Sequence, residues 1–184
     1  MIYQPAEDSY LLKEQIKKLL NKLSKEEKQN FKVLDMGSGS GIQAFACISS
    51  GIPRKNIIAA DINPEAITEL KKQKIPARKT NLFSHINKSK KFNLIIFNAP
   101  YLPANKYDKQ PDTTAGKKGN EIIIKFLRKA KNYLAKEGNI MLLFSSLSKP
   151  QDILDYVKKR EYKAELLSEK NVGMMEKLFV YKFY

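Results

Sequence analysis

The chain has one cysteine, Cys47, and one histidine, His85, in 184 residues. A lone cysteine excludes an internal disulfide. Cys47 falls on the apolar side of a helix that follows a glycine-rich turn, so it reads as a packed core thiol rather than a reactive one. His85 lies in a short loop of lysines and serines and reads as a surface residue. No cluster of histidine, cysteine and acid shows metal-ligand spacing, so no metal is expected. No apolar run is long enough to span a membrane. The opening Met1-Ile2-Tyr3-Gln4-Pro5-Ala6-Glu7-Asp8 is polar and acidic, unlike a signal peptide. A cytoplasmic location is the resulting expectation. Internal repeats and low-complexity segments are absent from the pattern.

Acids are scarce beside bases, 19 against 34, giving a formal net charge of +15 and a pI near 9.7. One reading is attraction to nucleic acid or to an acidic partner. The other is an ordinary solvated surface. The bases are spread along the chain (Lys71, Lys72, Lys74, Arg78 and Lys79, then Lys88, Lys90 and Lys91). No stretch interleaves arginines with aromatics as a nucleic-acid platform would, which favours the second reading.

What is present is a globular composition, 42% hydrophobic and 29% charged. Its length predicts one domain over residues 1–184. The organising stretch is Phe31-Lys32-Val33-Leu34-Asp35-Met36-Gly37-Ser38-Gly39-Ser40-Gly41. It reads as a buried strand entering a glycine turn, with a helix from about Ser40. Strand, glycine turn and helix form the opening unit of a doubly wound α/β domain, and ligands sit where the turn meets the helix. A dinucleotide loop has the spacing G-x-G-x-x-G. Here the third glycine comes one residue early and Asp35 ends the strand. A carboxylate at that place repels a pyrophosphate and tolerates a cationic, phosphate-free ligand.

The remaining chain alternates. Pro5 to about Leu23 predicts a helix with an apolar stripe at Leu12, Ile16, Leu19, Leu20 and Leu23, and Ser24–Asn30 a charged loop. Strands are expected at Asn56–Asp61, at Ile75–Lys79 as a short edge, at Phe92–Phe97 and at Asn139–Phe144. Asn63-Pro64 starts a helix, and further helices are expected at Glu121–Leu134 and Pro150–Lys159. Tyr162–Leu167 and Met175–Phe183 predict a C-terminal antiparallel hairpin. Tyr101–Lys118 is a loop too long to be a mere connection.

Two further features carry chemistry. Asp61 ends the second strand about 20 residues past the glycine loop, where an acid in this architecture bonds ribose hydroxyls; it also suits a cap for Asn63-Pro64. Asn98-Ala99-Pro100-Tyr101 follows a central strand directly, beside the glycine loop. Asn and Pro are turn residues, but the chemistry says more. A planar amide or amino nitrogen is a weak nucleophile because its lone pair is delocalised. The Asn98 side-chain oxygen and the carbonyl after it can accept its two N–H groups and aim the lone pair, while Tyr101 stacks on the planar group. Catalysis would then be mainly orientation of two reactants.

The pattern acid-x-Gly-x-Gly-x-Gly resembles the first motif of class I S-adenosylmethionine-dependent methyltransferases. Tyr3-Gln4-Pro5-Ala6-Glu7-Asp8-Ser9, Asp61-Ile62-Asn63-Pro64, Asn98-Ala99-Pro100-Tyr101 and Gly116-Lys117-Lys118-Gly119 resemble the corresponding motifs of the eukaryotic and archaeal release-factor glutamine methyltransferases. The resemblance covers nearly the whole chain. It implies a Rossmann-like methyltransferase sheet, mostly parallel with a C-terminal antiparallel hairpin and helices on both faces, and a helix over residues 1–24 covering the cofactor. It implies that Ser9 contacts the carboxylate end of S-adenosylmethionine, that Asp35 and Gly37, with Gly39 and Gly41, hold the methionine part, and that Asp61, with Ile62, holds the ribose. Asn81-Leu82 matches an aspartate-leucine pair that binds adenine; the Asn81 oxygen can still accept the adenine amino proton. Ala99 replaces a proline and keeps the main-chain carbonyl that the role requires. Asn98, Ala99, Pro100 and Tyr101 would grip the target amide. Tyr3 and Tyr10 read as core or cover residues.

The implied activity is methyl transfer to the glutamine of a Gly-Gly-Gln loop in a translation release factor. The implied partners are that factor and, in many members, a small zinc-binding activator on the edge strand near Lys74–Lys79. A DNA or RNA amino-group methyltransferase shares Asn-x-Pro-Tyr, but the chain leaves no length for a target-recognition domain. A non-catalytic cofactor-binding or scaffold subunit is the third reading, favoured by Ala99 and Asn81.

Overall fold

The computed structural model describes residues 2–100 and 119–184. Seven strands form one sheet: β1 Val33–Met36, β2 Ile57–Asp61, β3 Ala77–Lys79, β4 Phe92–Asn98, β5 Leu134–Ser145, β6 Ala164–Val172 and β7 Glu176–Phe183, in the order β3-β2-β1-β4-β5-β7-β6. The first five are mutually parallel, and β7 runs antiparallel to both β5 and β6. This is the expected α/β sheet with its antiparallel hairpin, and β3 is the expected edge.

Strand alternation separates two cores. Leu34, Met36, Ile95, Phe97, Ile140 and Leu142 belong to one, together with residues of helices α5 (Glu121–Ala130) and α6 (Pro150–Lys159). Val33, Ile57, Ala59, Leu94, Ile96 and Met141 belong to the other, with helices α1 (Glu7–Leu20), α3 (Ile42–Ser49) and α4 (Pro64–Lys72). Both faces of β1 and β4 are thus covered, as parallel strands require. Cys47 is fully buried in the second core, as its place on the α3 stripe predicts.

Register decides what meets at the carboxyl edge. Met36 pairs with Ala60 on one side and Phe97 on the other. The next residues of the three strands therefore lie side by side: Asp61, Gly37 and Asn98. The chain builds outward from β1 to β3 and then crosses back to β4, so this row sits at the topological switch point, where open α/β sheets bind ligands.

Three expectations are corrected. Ser24–Asn30 is not a loop throughout; Lys25–Asn30 forms the short helix α2. The Ser24 hydroxyl accepts from Glu27 N at 3.1 Å and the Glu27 carboxylate accepts from Ser24 N at 2.6 Å, a reciprocal capping box. The strand expected from Asn139 begins at Leu134, and α5 ends at Ala130 instead of Leu134. The β4–β5 register slips between Phe92 and Leu94, whose partners are Leu134 and Asn139. The residues between them form a bulge with Glu137 at φ +62°. Gly138 fits there because a Cβ would lie 2.7 Å from Phe92 O.

Ala99, whose carbonyl is the part the motif requires, also uses its N–H. Its N–H donates to Leu143 O at 3.3 Å, extending the β4–β5 ladder by one bond. Proline cannot make that bond. Ala99→Pro is therefore expected to cost about 1 kcal/mol of stability, seen as a lower urea midpoint; an unchanged or higher midpoint would show that the bond contributes nothing.

Candidate active site

The glycine loop is held from below and behind. Gly37, Gly39 and Gly41 all have positive φ (63°, 52° and 83°), where L side chains are strained. At Gly41 a Cβ would also lie 2.6 Å from the Leu70 side chain. At Gly39 nothing lies within 4 Å, so that turn faces open space. Ser38 N donates to Ala60 O at 3.1 Å, pinning the loop to β2.

Asp61 links loop and helix. Its Oδ2 accepts from Gly39 N at 2.8 Å and its Oδ1 from Asn63 N at 2.8 Å. Asn63 itself caps α4, its side chain accepting from Glu65 N at 2.9 Å. Asp61 thus tethers the α4 entry and the glycine loop together, and a carboxylate with two acceptor bonds used retains lone pairs for a ligand.

Asn98 has the most informative surroundings. Its Nδ2 donates to Asp8 Oδ2 at 2.9 Å and approaches Ser9 Oγ at 3.5 Å. An ionised carboxylate only accepts, so the amide nitrogen must face Asp8 and the amide oxygen must face away. That oxygen, Asn98 Oδ1, is buried with no hydrogen-bond partner among the described residues. Asp8 is 3% exposed and also accepts from Ser9 N at 2.6 Å, Ser9 Oγ at 3.2 Å and the Tyr3 hydroxyl at 3.1 Å. Burial, then the Asp8 charge, pushes the Tyr3 hydroxyl above the usual phenol range, so it stays a donor. Gln43 on α3 donates from Nε2 to Ser9 O at 2.9 Å, tying the start of α1 to the glycine-loop helix.

The other expected residues sit around this centre. Ile62 is 57% exposed, just past β2. Asn81 is exposed and Leu82 buried, past the end of β3; Leu82 takes φ +51° and its carbonyl accepts from Thr80 Oγ1 at 2.9 Å. Ala99 is buried and Pro100 half-buried. Tyr101 and Gly116-Lys117-Lys118 lie outside the described residues, while Gly119 is buried at φ +79°. His85 is exposed. Asp8, inside the Tyr3–Ser9 motif, and Gln43 have no role that the sequence assigns. Asp8 reads as a favourable acid in a helix first turn, and Gln43 as one polar residue on an apolar helix.

Comparison with known proteins gives the family. The family model for the methyltransferase small domain matches residues 15–165. The chain belongs to that methyltransferase family. It is 32% identical, over 97% of its length and 90% of the other's, to a putative protein N5-glutamine methyltransferase of Methanocaldococcus jannaschii. It is 26% identical to the methyltransferase HEMK2 of Homo sapiens, over 99% of this chain and 89% of that one. In fold it resembles Mtq2 in the E. cuniculi Mtq2–Trm112 complex, with a TM-score of 0.75 and 23% identity, covering 99% of this chain and 97% of that chain.

In this methyltransferase small domain Asp35 does not face open space. It is 1% exposed beneath the glycine loop, and its Oδ2 accepts from Ser38 Oγ at 2.5 Å and Ala44 N at 3.2 Å. Burial pushes its carboxyl up to about 7, against the opposing pull of those two bonds. The unfolded chain releases this proton near pH 4 and the folded chain holds it to about pH 7, so folding takes up a proton between those values. Stability from this group is therefore greatest below pH 4 and falls by about 1.4 kcal/mol per pH unit across the window. Asp35→Asn is expected to remove that fall, measured as urea stability of both proteins from pH 4 to 8. Parallel pH profiles would show that Asp35 titrates normally.

Proposed function

We propose that this protein transfers a methyl group from S-adenosylmethionine to the side-chain amide nitrogen of a glutamine, in the Gly-Gly-Gln loop of a translation release factor. Asn98 Oδ1, buried and without a partner among the described residues, carries the reading. A buried amide oxygen without a partner costs roughly 1–3 kcal/mol, and an incoming amide N–H would relieve it. Asp8 fixes which end of the Asn98 amide is presented. The Ala99 carbonyl would accept the second N–H, and Tyr101 is the residue the motif assigns to stacking on the amide plane. Two acceptors on one nitrogen restrain its rotation and aim its lone pair.

The residues at the switch point fit the cofactor. Gly39 leaves room for close approach, Asp61, in the same row as Asn98 and with Ile62 beside it, would accept ribose hydroxyls, and Asn81 and Leu82, past β3, would take the adenine. Ser9 would donate to the carboxylate end, and Gly37 and Gly41 shape the turn around the methionine part. Asp35 supports that turn from below. S-adenosylmethionine supplies an electrophilic methyl group on a sulfonium. The chain's own residues orient the amide, exclude water and hold the acceptor oxygens in place. The names of the relatives from Methanocaldococcus jannaschii and E. cuniculi, the latter acting on eRF1, support this substrate.

A small activator protein is the partner this reading expects, and Mtq2 is found in a complex with Trm112. The outer edge of β3, unpaired among the described residues and carrying the exposed Arg78 and Lys79, offers a docking edge for it.

The test uses protein isolated from its own cells, with any activator it carries, incubated with release factor and S-adenosylmethionine. Mass spectrometry should find one added methyl on the glutamine. Asn98→Ala should lower the rate on the order of 100-fold while cofactor affinity persists. Methylation of oligonucleotides instead of the factor would overturn the substrate.

A further inference from the structure

Eight large hydrophobic residues are exposed among the described residues. Six of them lie at the site edge of the sheet. Ile62 follows β2 and Leu147 follows β5. Tyr3 and Tyr10 flank the start of α1, where Asp8 meets Asn98. Met174 and Met175 form the turn between β6 and β7, and they are 102% and 91% exposed. That turn is on the site edge because Leu178, near the start of β7, pairs with Ser145, the last residue of β5.

The turn is coupled to the site. Lys170 on β6 pairs with Glu7 of α1 at 3.2 Å, one residue before Asp8. The Glu176 carboxylate, next to Met175, adds to the negative field on the Tyr3 hydroxyl that bonds Asp8. The lysines flanking the turn are paired: Lys170 with Glu7 of α1, and Lys177 with Glu169 at 3.1 Å. The tip itself is uncharged and open, with nothing within 4 Å of a Cβ at Gly173. Two unpacked thioethers cost solvation free energy in the isolated chain. Such adaptable side chains suit a protein surface that must be gripped without rigid complementarity. Paired lysines and an apolar tip do not suit a phosphate backbone.

We propose that the Met174–Met175 tip docks the folded domain that presents the target glutamine, seating in an apolar depression beside the glutamine-bearing loop. This rests on the glutamine-methylation reading and assigns the substrate contact outside the reacting centre. A macromolecule whose amide reaches Asn98 must lie over this edge, and the tip is its most exposed apolar element among the described residues. A loop peptide alone would not touch it.

The experiment compares wild type, M174E/M175E and M174L/M175L on intact release factor and on a short Gly-Gly-Gln peptide. The glutamate pair is expected to raise KM for the intact factor at least about tenfold, the scale of an interface anchor. Its kcat, its kinetics on the peptide and its cofactor affinity should match wild type, and the leucine pair should retain wild-type KM. An unchanged KM on the intact factor, or an equal rise on the peptide, overturns the inference while leaving the activity standing. Sedimentation that shows a wild-type dimer split by the glutamates also overturns it, since a second copy would then be the occupant. A wild type that methylates neither substrate fails the glutamine reading itself, and the docking surface with it.

Discussion

The Asp8–Asn98 hydrogen bond is the contact on which the site depends. It joins the first turn of α1 to the end of β4, residues 90 positions apart. Because a carboxylate can only accept, this bond sets the orientation of the Asn98 amide as well as its place. The same carboxylate gathers Ser9 and Tyr3. Packing of α1 on the sheet and presentation of an acceptor oxygen at the switch point are therefore one event. Leu12, Ile16 and Leu20, all fully buried, hold the helix that delivers Asp8.

The glycine loop supplies a second constraint from the opposite side. Its three left-handed glycines bend the chain over β1, and the N–H groups of Ser38, Gly39 and Gly41 donate to Ala60 O, Asp61 and the loop's own Ser38 O. Asp35 sits beneath, its carboxyl pushed up to about 7 by burial, and its Oδ2 accepts from the loop and from α3. A cation bound above the loop would favour the ionised form of Asp35, so ligand binding and proton release are coupled through a group that ligand need not touch.

Much of this was legible in the chain. Continuous apolar runs marked β1, β2 and β4, and Asn63-Pro64 marked the start of α4 because cap and proline each have one favourable place. The glycine spacing and the strand ends placed Asp61 and Asn98 near each other before any register was known. What escaped has identifiable causes. Helix α2 has no buried residue and thus no apolar stripe, and only its Ser24/Glu27 box gives it away. The early start of β5 depends on a bulge against Phe92 O, a tertiary contact with no local signal. Ala99 N–H finds Leu143 O only through the sheet. Asp8 was visible as an acid in a first turn, but its partner across the fold was not.

The most direct test of the central claim is a double-mutant cycle between Asp8 and Asn98, measured as methyl transfer to release factor at saturating cofactor. If Asp8 acts by orienting Asn98, Asp8→Ala should lower kcat on the order of tenfold in the wild-type background and have little further effect in the Asn98→Ala background. Full additivity of the two losses would contradict the account, because Asp8 would then serve the reaction by a route that does not pass through Asn98.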